Sequence, residues 1–160
     1  MILHITQKLN YYIEYTSNGK WNKSQIFTNI DKPYSELANK KWGIIGLGNI
    51  GKKVAQIATA FGCNVSYYST SGKNKNKDFS LVDLNTLLKQ SDIISIHCPL
   101  NEQTKDLINS SNIELIKDRS IVVNVARGGI INEQALVNII DKREIFFALD
   151  TVEIEPLSND

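Results

Sequence analysis

Between residues 42 and 149 the apolar pattern of this chain changes period repeatedly, short β-rich runs giving way to longer stretches at helical spacing. No other property of the sequence restricts the fold as much. Strands are expected over 42–45, 64–69, 93–97, 121–125 and 146–149. Helices are expected over 49–61, 81–90 and 133–142, with a shorter one near 111–116. Strands separated by helices pair in parallel, and the crossing helices cover both faces of the sheet. The expected class is therefore α/β, a doubly wound parallel sheet in three layers, α/β/α.

Ahead of this region, Ile2, Leu3, Ile5, Leu9, Tyr12 and Ile13 recur at helical spacing up to Gly19, which can supply a left-handed stop. One amphipathic helix is expected there. The residues that follow, with Trp21, Ile26, Phe27 and Pro33, show no period and read as an irregular arm. The division is thus 1–41, a helix and arm forming an interdomain or dimer element, and 42–160, the sheet domain. With 160 residues, 42% hydrophobic and 22% charged, the chain can bury one sizeable core.

Eighteen basic and 17 acidic residues leave a formal charge of +1, so no whole-chain field points to nucleic acid or an anionic membrane. Cys63 and Cys98 lie in separate apolar runs without metal-ligand spacing. They read as buried thiols, no metal site is expected, and a reducing cytoplasm is the expected compartment. The start, MILHITQKLN, has no basic region leading into a long apolar stretch, and no run approaches the length of a membrane span.

The stretch GIIGLGNIGKKVA places Gly46, Gly48 and Gly51 at G-x-G-x-x-G spacing, directly after the first sheet strand and into a helix. In that context the glycines allow a tight turn, close approach of a pyrophosphate and close helix packing, and the N-terminus of the helix attracts phosphate. The expected site is a dinucleotide cradle of Rossmann type over Gly48, Asn49 and Ile50, with Ile50, Val54, Ile57 and Phe61 burying the other face of the helix. The end of the second strand should then carry an acid for the ribose hydroxyls. Instead Ser69, Thr70 and Ser71 stand there, Ser69 being 18 residues past Gly51, followed by Lys73, Lys75 and Lys77. That run reads either as a solvated loop or as a receptor for a 2′-phosphate, so NAD and NADP both stay open.

Four stretches, GIIGLGNIGKKVA, SDIISIHCPLNEQTKDLIN, VNVARGGIINEQAL and ALDTVEIEP, resemble in order and spacing the D-isomer-specific 2-hydroxyacid dehydrogenases, the family of phosphoglycerate, glycerate and D-lactate dehydrogenases. The resemblance is close over 42–156 and looser before it. It implies an NAD(P)-dependent oxidoreductase moving hydride between the cofactor and a small 2-hydroxy or 2-oxo acid. Arg127 matches the arginine that grips the substrate carboxylate, and Glu155 the carboxylate that pairs with a catalytic histidine. Asp150 matches the residue that holds the nicotinamide carboxamide. Pro99 and Thr104, with Asn124, Val125 and Ala126, line up with cofactor-side positions.

The same resemblance implies a histidine beyond Glu155 and a substrate domain built from segments on either side of the nucleotide-binding part. Neither is expected within a chain ending at Asp160, so the chain is expected to bind cofactor but to be inactive alone, with a homodimer as its assembly. His4 reads as a surface residue and His97 as the end of a buried strand. A non-catalytic NAD(H)-sensing or dimerisation module is the alternative function. A methyltransferase shares the glycine turn but leaves NVARGG and LDTVEIEP unexplained.

Overall fold

A computed structural model describes residues 1–73 and 75–156, and it divides the chain into two compact units, 1–37 and 38–160. Residues 74 and 157–160 of the expected 42–160 domain lie outside the described residues.

The first unit holds two helices where one was expected, α1 (Ile2–Thr6) and α2 (Leu9–Ser17). Lys8 between them takes φ 51°, a left-handed conformation that ends one helix and redirects the next. Helix α2 stops at Ser17, and Gly19 follows at φ 67°, the stop read from the sequence. The arm folds back on α2, with the Tyr12 hydroxyl donating to the Lys32 carbonyl at 2.8 Å and the Tyr12 and Tyr34 rings meeting edge to face.

The second unit is a six-stranded sheet, all parallel. Its strands are β1 (Lys41–Ile45), β2 (Asn64–Tyr68), β3 (Ser80–Leu81), β4 (Ile93–Ile96), β5 (Ile121–Asn124) and β6 (Phe146–Leu149), in the order β3-β2-β1-β4-β5-β6. Strands β4 and β5 are buried at every position, which is why they read as unbroken apolar runs. Helices α3 (Asn49–Ala60), α4 (Leu84–Gln90) and α5 (Glu133–Ile140) make the crossovers. The unit starts at Ala38, ahead of the expected boundary, because the Asn39 N–H donates to the Gly62 carbonyl and Lys41 already belongs to β1.

Three elements differ from expectation. The helix expected over 81–90 begins only at Leu84, where the Asp83 carboxylate caps it by accepting from the Thr86 N–H at 2.9 Å; Ser80 and Leu81 instead form the short edge strand β3. The helix near 111–116 is a single 3-10 turn, Ile113–Leu115, because the Asn109 and Asn112 side chains bond the local backbone and compete with a longer helix. On α3 the buried residues are Gly51, Ala55 and Ala58, while Ile50, Ile57 and Phe61 are exposed and Val54 is half-buried. The larger side chains are turned aside because small residues let the helix lie close on the sheet.

Candidate functional site

The order β3-β2-β1-β4-β5-β6 reverses direction between β1 and β4, and a crevice opens there beyond the carboxyl ends of the strands. It is a cleft of about 600 Å³ lined by Ile50, His97, Cys98, Pro99, Leu100, Val125, Ala126 and Arg127. Ile50, Pro99, Val125, Ala126 and Arg127 are thus gathered from three strand ends.

The three glycines of the first turn have different causes. Gly46 takes φ 93°, and a Cβ there would meet the Cys98 N at 2.8 Å. A Cβ on Gly51 would strike the Gly46 carbonyl. Both are demanded by the protein itself. Among the described residues nothing demands Gly48: its φ is −76°, it is exposed, and a Cβ there would have none of their atoms within 4 Å. Gly48 is also the N-cap of α3, which has no side-chain cap, so the first-turn N–H groups point outward past a bare Cα. The space and donors fit a pyrophosphate, and those donors would hold it.

Backbone contacts join the four sequence stretches. Gly46 packs on Cys98; the Asp106 N–H donates to the Gly129 carbonyl and Ile108 bridges to Ile131; a Cβ on Gly128 would collide with the Val152 carbonyl. The Asn124 side chain shapes the turn that presents Arg127, accepting from the Ala126 N–H at 3.0 Å and donating to the Arg127 carbonyl at 2.8 Å. Arg127 itself is exposed, its guanidinium resting on the Ala126 carbonyl at 2.7 Å.

Other expected site residues lie around the cleft rather than in its wall. The Thr104 hydroxyl is fully buried and donates to the Pro99 carbonyl at 2.6 Å, so it pins the turn that carries Pro99. Asp150 is exposed just past β6, its N–H donating to the Asn124 carbonyl. Glu155 is exposed and accepts from the Val152 N–H at 3.1 Å, while the Glu133 carboxylate accepts from the Glu153 N–H at 2.5 Å and tethers the same loop. Ser69 directly follows β2 beside the glycine turn, and its buried Oγ has no hydrogen-bond partner among the described residues.

Sequence reasoning passed over the role of Glu133 and a relay behind the cleft. The Trp42 indole N–H donates to the Ser95 Oγ at 2.9 Å, and His97 Nε2 hydrogen-bonds the same oxygen at 3.0 Å, as donor or acceptor according to the tautomer of the ring. The other ring nitrogen of His97, Nδ1, is buried and has no partner among the described residues. Burial holds the His97 pKa below its ordinary value and pushes the neighbouring Cys98 thiol up to about 11, leaving both uncharged near neutrality. Only the β1–β4 pairing, Ile44 beside Ser95, makes the relay visible.

An open parallel sheet in this strand order, with a glycine turn at its switch point, is a dinucleotide-binding fold. The family model for the D-isomer specific 2-hydroxyacid dehydrogenase NAD binding domain matches residues 1–160, and the chain belongs to that family. It is 42% identical over 139 residues to the hydroxypyruvate reductase of Thermotoga maritima, covering 86% of this chain and 44% of that protein. The crystal structure of D-lactate dehydrogenase from Aquifex aeolicus, complexed with NAD and lactic acid, superposes with a TM-score of 0.82 at 32% identity, over 95% of this chain and 45% of that one. An acyclic imino acid reductase in complex with NADPH and D-Arg gives a TM-score of 0.83 at 32% identity, over 96% and 48%. The chain spans about half the length of the curated relatives it matches. Among the described residues no helix is long and apolar enough to cross a membrane, and no three His, Cys, Asp or Glu side chains are grouped to hold a metal.

Proposed function

We propose that this chain is the nucleotide-binding part of an oxidoreductase moving a hydride between NAD(P) and a small D-2-hydroxy or 2-oxo acid. The observation that carries the reading is Gly48, a glycine kept bare where the protein has no need of it, at the switch point of the sheet. When bound, the nicotinamide supplies or accepts the hydride. Gly48, Asn49 and Ile50 receive the pyrophosphate, Gly46 and Gly51 shape the turn beneath it, and Ser69 receives the adenosine ribose. Pro99, Val125 and Ala126 line the nicotinamide half, Thr104 holds Pro99 in place, and Asp150 takes the carboxamide.

Arg127, on the cleft wall, anchors the substrate carboxylate bidentately and polarises the neighbouring carbonyl. Glu155 orients a histidine that delivers the proton. His97 does not suit that part, since its Nε2 is engaged by Ser95 and its Nδ1 is enclosed. Residues 42–160 form the cofactor domain in this reading, and residues 1–41 an interdomain and dimer element supported by the exposed Leu9, Ile13, Trp21 and Phe27. The hydroxypyruvate reductase relative supports a small 2-oxo acid substrate, and a cytoplasmic setting suits such an enzyme and its two buried thiols.

Calorimetric titration of the chain with oxidised dinucleotides tests the proposal. Gly48→Val should abolish binding while the melting curve stays close to that of the parent, because the new side chain meets no protein atom. Equal affinity of parent and variant would refute the cradle. Mixed with NAD(P)H and hydroxypyruvate, the chain by itself should bind cofactor and turn over negligibly, since general acid–base catalysis contributes about 100-fold to 10,000-fold.

A further inference from the structure

The loop that follows β6, residues 150–156, carries Asp150 and Glu155 and lies outside every helix and strand. Its shape must therefore come from contacts with its neighbours. At its start the Asp150 N–H donates to the Asn124 carbonyl at 2.9 Å, and the Val152 carbonyl packs on Gly128. Further along, the Glu155 carboxylate folds back to accept from the Val152 N–H at 3.1 Å, a bond within the loop, so Glu155 goes where the loop goes. The outer half of the loop is joined to the rest of the domain by the Glu153 N–H, which donates to the Glu133 carboxylate at 2.5 Å across 20 residues of chain.

Glu133 is free for this task because its own helix does not use it as a cap. It is the first residue of α5, where Asn132 already caps the helix by accepting from the Ala135 N–H at 2.9 Å. Asn132 is itself anchored, its side chain donating to the Asp106 carboxylate at 3.0 Å and its N–H to the Ile108 carbonyl at 2.8 Å. Glu133, which is half-buried, thus stands on a fixed base and reaches outward to the loop. The helix N-terminus favours its charge, while Glu153 and Glu155 on the loop bear the same sign. The bond to the backbone N–H, strengthened by that charge, is therefore what holds the carboxylate to the loop, rather than an ion pair.

We propose that Glu133 is a positioning residue: it holds the 150–156 loop by the Glu153 N–H and so sets where the Glu155 carboxylate meets the histidine that delivers the proton. The proposal rests on the part given to Glu155 above.

Amide hydrogen exchange and the carboxyl carbon resonance of Glu155, both read by NMR on the whole chain, test it. In Glu133→Ala the Glu153 amide should exchange about 10-fold faster, the size expected when a hydrogen bond to a charged group is lost, and the Glu155 resonance and its pH titration should move. Glu133→Asp keeps the charge but shortens the reach by one methylene; it should behave like the alanine variant, and it carries the test if that one does not fold. Glu133→Gln keeps an acceptor oxygen in place and should restore most of the protection. Calorimetric affinity for NAD+ and NADP+ should match the parent in all three, since the cradle lies on another turn. A Glu155 resonance unmoved by the alanine and aspartate variants, or a glutamine variant no better protected than they are, overturns the positioning role and leaves the cofactor reading standing. A parent chain that binds neither dinucleotide removes the part given to Glu155 and the proposal with it.

Discussion

Single residues in this domain act as joints between strand ends. Gly128 is the plainest case, since a Cβ there would meet the Val152 carbonyl and the Glu153 N, backbone atoms that cannot yield as a side chain can. Gly128→Ala should cost about 1–3 kcal/mol, the range for an overpacked site, and push the 150–156 loop away from the turn that presents Arg127. Thermal melting checks the first effect and loss of protection of the Val152 and Glu153 amides in hydrogen exchange the second. His97 gives a pH dependence of defined sign. Its folded pKa lies below the ordinary 6.5 because burial opposes the charge, so the unfolded chain binds the proton more readily. Above 6.5 both states are neutral and its contribution to stability is complete; as pH falls from 6.5 towards the folded pKa, that contribution is lost. Chemical denaturation at stepped pH should show this slope in the parent, and His97→Gln should flatten it.

At the scale of elements, α3 shows how close packing overrides residue size. The stripe of larger apolar residues, Ile50, Val54, Ile57 and Phe61, has the right spacing for a buried face, yet the neighbouring stripe of Gly51, Ala55 and Ala58 faces the sheet. The turn ahead of the helix sets its rotation: Gly51 packs on the Gly46 carbonyl, and only the small stripe then points inward. Ala58→Leu should therefore destabilise by about 1–3 kcal/mol through overpacking. Ile57→Ala, at a position 48% exposed, should stay within about 0.5 kcal/mol of the parent. Equal effects of the two in urea melts would contradict this placement. The opening helices show a second override, since Ile2 to Ile13 keep a continuous helical period that cannot reveal the left-handed Lys8.

The whole molecule leaves apolar surface uncovered in each of its units, Trp21, Ile26 and Phe27 in the first and Ile57 and Phe61 in the second. Patches of this kind can serve association, and the dimer proposed above would cover them. Light scattering over a range of concentrations should report twice the 18.0 kDa chain mass, and Phe27→Lys, at a residue 91% exposed, should shift the population towards monomer. Monomer alone at high concentration would dismiss the dimer.

The linear sequence by itself determined the class of fold, because burial on both faces makes β4 and β5 unbroken apolar runs and the helices between strands leave parallel pairing as the only compact arrangement. It also determined where the cofactor turn lies, since strand, three spaced glycines and helix are local in the chain, and it exposed the missing acid at Ser69. Only the tertiary structure decided which glycines the packing requires and which it leaves open. That distinction depends on atoms far along the chain, Cys98 for Gly46 and Val152 for Gly128, and on open space at Gly48. Tertiary structure likewise decided the relay from Trp42 through Ser95 to His97 and the tether from Glu133 to the Glu155 loop. These are contacts between separate elements, and periodicity within one element carries no information about its partner.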